Sequence, residues 1–252
     1  MLNSNPYSLA GKTVLITGAA RRIGAAIVRA LHHENMDIIL HYRSSGTEAE
    51  RLAEELNQQR ENSALTLQAD LLQTQSLNKL IARAHDHWGR LDAIVNNASS
   101  FYPTPVGTIT EVQWDDLMGS NLKAPLFLSQ AAAPYLRQHH GSIVNIIDIH
   151  AFRPMKNHPV YCAAKAGLAM LTQSLAKELG PEIRINGVAP GAIMWPDREL
   201  DEDTKREILD RTALKRQGQA EDIAATVLFL IRDAHYITGQ VIPVDGGRSL
   251  NI

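Results

Sequence analysis

Short runs of β-branched and apolar residues alternate with longer amphipathic stretches along the 252-residue chain, and this rhythm constrains the fold more than any other feature. Strand candidates lie at 13–16, 37–40, 64–67, 93–95, 142–147, 183–186 and 240–244, with helical candidates near 22–34, 47–60, 74–88, 111–138, 160–179 and 219–232. Such alternation implies a parallel sheet with right-handed crossovers and helices on both faces. The expected architecture is one doubly wound α/β domain of about seven strands spanning residues 1–252. Ligands of such sheets bind outside the carboxyl ends of the strands, so chemistry is expected just after each strand. Segment 190–217 breaks the rhythm, opening with Pro190-Gly191 and running through Trp195-Pro196-Asp197 into a charged stretch. It reads either as a mobile flap near the crevice or as a solvated surface excursion.

Formal charge is nearly balanced at −2, with lysines and arginines scattered, which is not the basic footprint of a nucleic-acid or membrane-surface binder. No apolar run approaches the roughly 18 residues of a membrane span, and the first residues carry no signal-peptide core. A cytoplasmic protein with a small-molecule partner is expected. Cys162 is the sole cysteine, which excludes an internal disulfide and a multi-thiolate metal site. The pairs His32-His33 and His139-His140 sit at charged helix ends and are expected to be solvated, so no metal is expected.

Directly after the first strand comes Thr17-Gly18-Ala19-Ala20-Arg21-Arg22-Ile23-Gly24. Gly18 permits a tight turn, Gly24 permits close helix–strand packing, and the N–H groups of the helix that follows Ile23 face a pyrophosphate. Arg22 stands where the usual dinucleotide fingerprint has its middle glycine, adding a cation beside the phosphates. NAD sites carry an Asp or Glu near the end of the second strand, whereas this chain reads His41-Tyr42-Arg43-Ser44. A cation in place of an anion suits a 2′-phosphate, so NADPH is the expected cofactor. Alternatively, Arg43 is an ordinary surface arginine. Asp70, followed by Leu71, is placed to accept from the adenine amino group or to cap a helix. Asn97 and Ala98, after the fourth strand, are expected along the adenosine and ribose.

Tyr161 and Lys165 are separated by four positions at the start of a helical stretch, which puts them on one face. A neighbouring ammonium favours the phenolate and is expected to lower the tyrosine pKa towards proton-transfer use at neutral pH. The phosphate loop, Asn96-Asn97-Ala98, Asn121, Tyr161 with Lys165, Pro190-Gly191 and the closing Asp245-Gly246-Gly247 together resemble the short-chain dehydrogenases/reductases, in order and over nearly the whole chain. The resemblance implies a Rossmann-like domain in which Tyr161 donates the proton, Lys165 also holds the nicotinamide ribose, Asn121 supports a water relay, and Pro190 and Gly191 border the cofactor. It also suggests a homotetramer joined through helices near 111–138 and 160–179.

One position departs from that family. A serine is usual at the end of the fifth strand, and this chain has Asp148. A serine hydroxyl donates to a carbonyl oxygen that becomes negative as hydride arrives, whereas an ionised carboxylate repels it by roughly 4 kcal/mol at about 4 Å and an effective dielectric of about 20. That equals about three powers of ten in rate. A C=N bond behaves oppositely, because its nitrogen gains a proton. The alternative is that Asp148 only caps the following turn. With Arg22 in the loop, the His41–Ser44 segment and the run Asn97-Ala98-Ser99-Ser100-Phe101-Tyr102-Pro103-Thr104-Pro105, Asp148 makes the chain most similar to the pteridine reductases. That resemblance implies a pterin or folate substrate sandwiched between nicotinamide and Phe101, bound or protonated by Ser99, Arg22, Asp148 and Tyr161. Without it, Phe101 reads as a core aromatic. Trp195 and Met194 are expected either to close over the pterin side chain or to pack the flap. Two alternatives to pterin reduction are a carbonyl reductase acting on 3-oxoacyl thioesters or sugars, and a non-catalytic NADPH-binding sensor.

Overall fold

A computed structural model of the chain describes residues 8–193 and 201–251. Its seven strands are β1 (Thr13–Ile16), β2 (Asp37–Tyr42), β3 (Ala64–Gln68), β4 (Ala93–Asn96), β5 (Ser142–Ile146), β6 (Arg184–Pro190) and β7 (Val241–Val244). They form one sheet in the order β3-β2-β1-β4-β5-β6-β7, parallel at every pairing. The central strands are buried along their whole length, which is why they read as continuous apolar runs rather than alternating ones. Strand β7 is only partly covered and contains Pro243, a residue that a sheet tolerates at its edge.

Alternate side chains supply two cores. Val14, Ile16, Ile38, Leu40, Val95 and Val144 pack against helices α1 (Arg22–His33), α2 (Gly46–Gln59) and the helix at Ala220–Arg232. Leu15, Ile39, Ile94, Ile143 and Ile185 face α3 (Leu77–Asp86) and the helix at Ala124–Arg137 on the other side. The chain winds outward from β1 through α1, β2 and α2 to β3, then returns along the opposite face to β4. The reversal between β1 and β4 opens the crevice at their carboxyl ends.

The single helix expected over 111–138 is two helices, α4 (Glu111–Met118) and α5 (Ala124–Arg137), joined by a π-turn at Gly119–Lys123. A side chain at Gly119 would meet Leu72 Cδ2 at 2.6 Å, so this turn sits close to the loop after β3. Asn121 lies in the turn, and such wide turns are frequent at functional sites. The sixth strand runs on to Pro190, four residues beyond its expected end, so the 190–217 excursion begins inside the sheet. Its described part contains helix α7 (Glu202–Asp210). His32 is a correction: it is buried and its Nε2 pairs with Ser63 Oγ at 2.8 Å, because the α1 C-terminus lies against the start of β3 rather than in solvent. No described helix is long and apolar enough to cross a membrane.

Helix α6 (Pro159–Leu179), which carries Tyr161 and Lys165, is tied to the sheet by a buried polar chain. Asn96 Nδ2 donates to Asn145 Oδ1 at 2.8 Å, Asn145 Nδ2 donates to Thr172 Oγ1 at 2.9 Å, and Thr172 Oγ1 donates to Leu168 O at 2.8 Å. Removing the middle member strands a buried donor on one side and an acceptor on the other. Asn145→Ala is therefore expected to lower stability by about 2–4 kcal/mol, read as a reduced urea midpoint with unchanged slope.

Candidate active site

The loop after β1 shows why glycines stand where they do. Gly18 has φ +60°, in the left-handed region, and a side chain there would press on Ala98 Cα at 3.0 Å. A Cβ on Gly24 would lie 2.3 Å from Gly18 O and 2.8 Å from Asn97 Nδ2, so α1 can approach the loop only through glycine. Asn97 locks the arrangement by donating from Nδ2 to Thr17 O and Gly18 O, both at 2.9 Å, while Thr17 Oγ1 accepts from the backbone of Asn97 and Ala98. Arg22 also adopts a positive φ, +54°, and occupies without a glycine the conformation a glycine would supply. Holding a non-glycine residue there costs roughly 1–3 kcal/mol.

His41 supports the loop from behind. It is buried, its Nδ1 accepts from Gly18 N at 3.3 Å, and its Nε2 meets Ala69 O at 3.1 Å. Burial pushes it down to about 4, so the ring is neutral at pH 7. Beside it opens a cavity of about 380 Å3, bordered by the loop, by Tyr42, Arg43 and Ser44 at the end of β2, by Asp70 and Leu71, and by Asn97 to Ser99. Arg43 is exposed, and its guanidinium has no carboxylate or hydrogen-bond partner among the described residues. Asp70 caps no helix. Its Oδ1 accepts from Leu72 N at 3.1 Å in a local turn, because the chain makes a further turn before α3 begins. Glycines that leave no room for a side chain, exposed loop backbone and a cation past β2 together fit a nicotinamide dinucleotide.

The second cavity, about 500 Å3, shares Arg22, Ile23, Asn97 and Ser99 with the first and is also lined by Asp148, Tyr161 and Lys165. Asp148 uses both carboxylate oxygens. Oδ1 accepts from His150 N at 2.8 Å, capping the short turn Ile149–Ala151, and Oδ2 accepts from the Tyr161 hydroxyl at 2.8 Å. The capping role considered from the sequence is thus real and simultaneously orients the other oxygen. Lys165 is buried, donates to Ile146 O at 2.9 Å, and lies 5.7 Å from the centre of the Tyr161 ring. Asn121 Nδ2 donates to Ser100 O and Leu117 O, and its Oδ1 accepts from Ser99 Oγ at 2.7 Å.

The electrostatics correct one expectation. Burial, and then the Asp148 charge and hydrogen bond, push the Tyr161 hydroxyl well above its ordinary range, outweighing the opposing contact from Ser99. Lys165 is itself lowered to about 8 by burial, against the opposing pull of Asp148. Tyr161 is therefore a protonated donor at neutral pH rather than an easily formed phenolate.

Phe101 is not a core residue: it is 45% exposed on the cavity wall. Its ring stacks on His158 at 4.8 Å and 9°, and meets Tyr161 edge-on at 4.8 Å. Pro190 and Gly191 line the same cavity, and Gly191 N donates to Val244 O at 3.0 Å. Trp195 and Met194 lie outside the described residues. Sequence reasoning missed His158 as the partner of Phe101, although it lies three residues before Tyr161. It also missed Arg248, which follows the closing Asp245-Gly246-Gly247 and reaches the cavity wall.

Gly24→Ala tests the cradle. It is expected to weaken binding of the reduced nicotinamide dinucleotide at least about tenfold, measured by titration of cofactor fluorescence, with circular dichroism confirming an intact fold. Unchanged binding would remove the cradle from the site.

Similarity to known proteins bears on the family to which this arrangement belongs. The family model described as "Enoyl-(Acyl carrier protein) reductase" matches residues 18–249. "Pteridine reductase 1" of Leishmania tarentolae is 39% identical over 94% of this chain and 96% of its own length. A "3-oxoacyl-[acyl-carrier-protein] reductase" of Staphylococcus epidermidis is 36% identical over 94% of this chain and 98% of its own. "L-xylulose reductase" of Caenorhabditis elegans is also 36% identical, over 97% of this chain and 98% of its own. With a seven-stranded parallel sheet, a glycine cradle after β1 and a tyrosine–lysine pair at the head of α6, the chain belongs to the short-chain dehydrogenase/reductase family of nicotinamide-dependent oxidoreductases.

Proposed function

We propose that this enzyme reduces a C=N bond of a dihydropterin or dihydrofolate to the tetrahydro form with NADPH. Relatives named for pterin, thioester and sugar substrates are nearly equally similar, so overall identity does not choose among them. The observation that carries the choice is the Asp148–Tyr161 hydrogen bond at 2.8 Å on the wall of the cavity.

When bound, nicotinamide would supply hydride to a ring carbon whose adjacent nitrogen has first taken a proton. Tyr161 holds one, aimed at Asp148 Oδ2. Asp148 cannot swing away without losing its bond from His150 N, so Oδ2 stays directed at Tyr161. A ring nitrogen that takes on positive charge with that proton is stabilised beside the Asp148 carboxylate, whereas an oxygen gaining negative character is repelled. Phe101 offers an exposed aromatic face to a flat heterocycle, held in place by His158 and Tyr161. Ser99 and Arg22 line the same cavity and supply hydrogen-bonding groups for the polar edge of the ring. Lys165 orients the ribose, and Asn121 holds Ser99 in place and anchors a water relay. The exposed guanidinium of Arg43 suits the 2′-phosphate and supports NADPH over NADH. Exposed Val112, Trp114 and Met170 on α4 and α6 support assembly into a tetramer through these helices.

Oxidation of NADPH and of NADH by the purified protein, with 7,8-dihydrobiopterin, dihydrofolate and an acetoacetyl thioester, tests the reading. Turnover of the pterins with NADPH, at least about 100-fold above the thioester, is expected. Thioester turnover with inert pterins would replace this reading with a carbonyl reductase, and cofactor binding without any turnover would favour a sensor.

A pH dependence follows from Lys165. The ammonium is present below about 8 and lost as pH rises through that value, while Tyr161 keeps its proton across the range. The alkaline limb of kcat/KM is expected near pH 8, and Lys165→Arg should move any residual activity to higher pH because guanidinium stays charged. A flat profile to pH 10 would contradict this role for Lys165.

A further inference from the structure

We infer that Arg248 makes this enzyme selective for pterins whose side chain carries an anion. The inference rests on the pterin reading above and adds a substrate class to it.

The turn after β7 is built to present Arg248. Asp245 Oδ1 accepts from Gly247 N at 2.9 Å and Oδ2 from Ser249 N at 2.7 Å, and both Gly246 and Gly247 have positive φ. The turn is seated against the site, since a Cβ on Gly191 would lie 2.6 Å from Asp245 Cβ. Arg248 thereby leaves the sheet edge and lines the catalytic cavity, together with Asp148, His150, Thr204 and Ile208.

Its side chain is partly buried and incompletely paired. Nη1 donates to Ile208 O at 3.0 Å, and no other guanidinium donor has a partner among the described residues. The nearby carboxylates are engaged elsewhere. Glu207 pairs with Arg211 at 2.8 Å, Asp245 is consumed by backbone N–H groups, and Asp148 by His150 N and Tyr161. Burial, and then the neighbouring Arg211, hold Arg248 below the usual guanidinium range, yet an arginine remains charged. A half-buried cation on a cavity wall with several unused donors is stabilised by an anion from the ligand. The Asp148 charge reaches Arg248 but its oxygens already serve His150 N and Tyr161, so the anion that Arg248 takes belongs on the substituent of the pterin ring. A carboxylate and a phosphate share this chemistry.

The test compares kcat/KM for dihydrofolate, for 7,8-dihydroneopterin 3′-phosphate and for neutral 7,8-dihydrobiopterin in the full-length enzyme, Arg248→Gln and Arg248→Lys. In Arg248→Gln the ratio of anionic to neutral substrate is expected to fall about tenfold, through KM, with Arg248→Lys restoring most of it. Loss with dihydrofolate alone assigns a carboxylate, and loss with the phosphate ester alone assigns a phosphate. A ratio unchanged in Arg248→Gln overturns the inference even if absolute rates fall, because Arg248 then only balances Asp148 or braces α7. If the unsubstituted enzyme turns over no pterin, the pterin reading itself falls and the inference falls with it.

Discussion

The Asp148 carboxylate is the point on which the catalytic end of the molecule turns. One oxygen is fixed by the backbone of the turn that follows β5, and the other accepts the hydroxyl hydrogen of Tyr161 from α6. The bond joins the end of a central strand to the head of the catalytic helix, across the crevice that the reversal between β1 and β4 creates. With the phenol pushed upward by burial and by Asp148, and Lys165 pulled down to about 8, the site holds its proton tightly on Tyr161. Under the proposed function, a carboxylate fixed beside the reacting bond suits a ring nitrogen protonated before hydride arrives more than a carbonyl oxygen that becomes an oxyanion.

Rigidity beneath the site comes from parts with no role in chemistry. The Asn96–Asn145–Thr172 chain fixes α6 on β4 and β5, and neutral His41 props the phosphate loop from below. Arg22 is the exception, since its positive φ costs stability in exchange for a cation beside both cavities. Conformational strain at one residue, inside a loop otherwise held by glycines and an asparagine, fits the ligand-binding role proposed for Arg22.

Much of this was legible in the sequence, for physical reasons. Continuous apolar strands and amphipathic helices announced the sheet, and Gly18, Gly24, Tyr161 and Lys165 carried spacings that few other folds require. Features that depend on the third dimension escaped. The π-turn around Asn121 lies against Leu72, far away in the chain, a contact no local pattern reveals. Lys165 was expected to depress Tyr161, but depth of burial and the direction of the Asp148 oxygen decide that shift, and neither is visible in a spacing. His32 looked solvated because its burial depends on Ser63, on a different strand's approach. Arg248 stood beside a recognisable Asp-Gly-Gly turn, yet only the fold shows that the turn delivers it to the cavity.

The central claim is that the carboxylate at position 148 selects a C=N bond. The most direct measurement is kcat/KM of Asp148→Ser with 7,8-dihydrobiopterin and with an acetoacetyl thioester, alongside the Kd for NADPH. The account predicts that pterin reduction falls at least about 100-fold, that NADPH binding changes by less than about threefold, and that thioester reduction rises. Equal losses in pterin turnover and NADPH binding, or pterin turnover that survives the exchange, would contradict it.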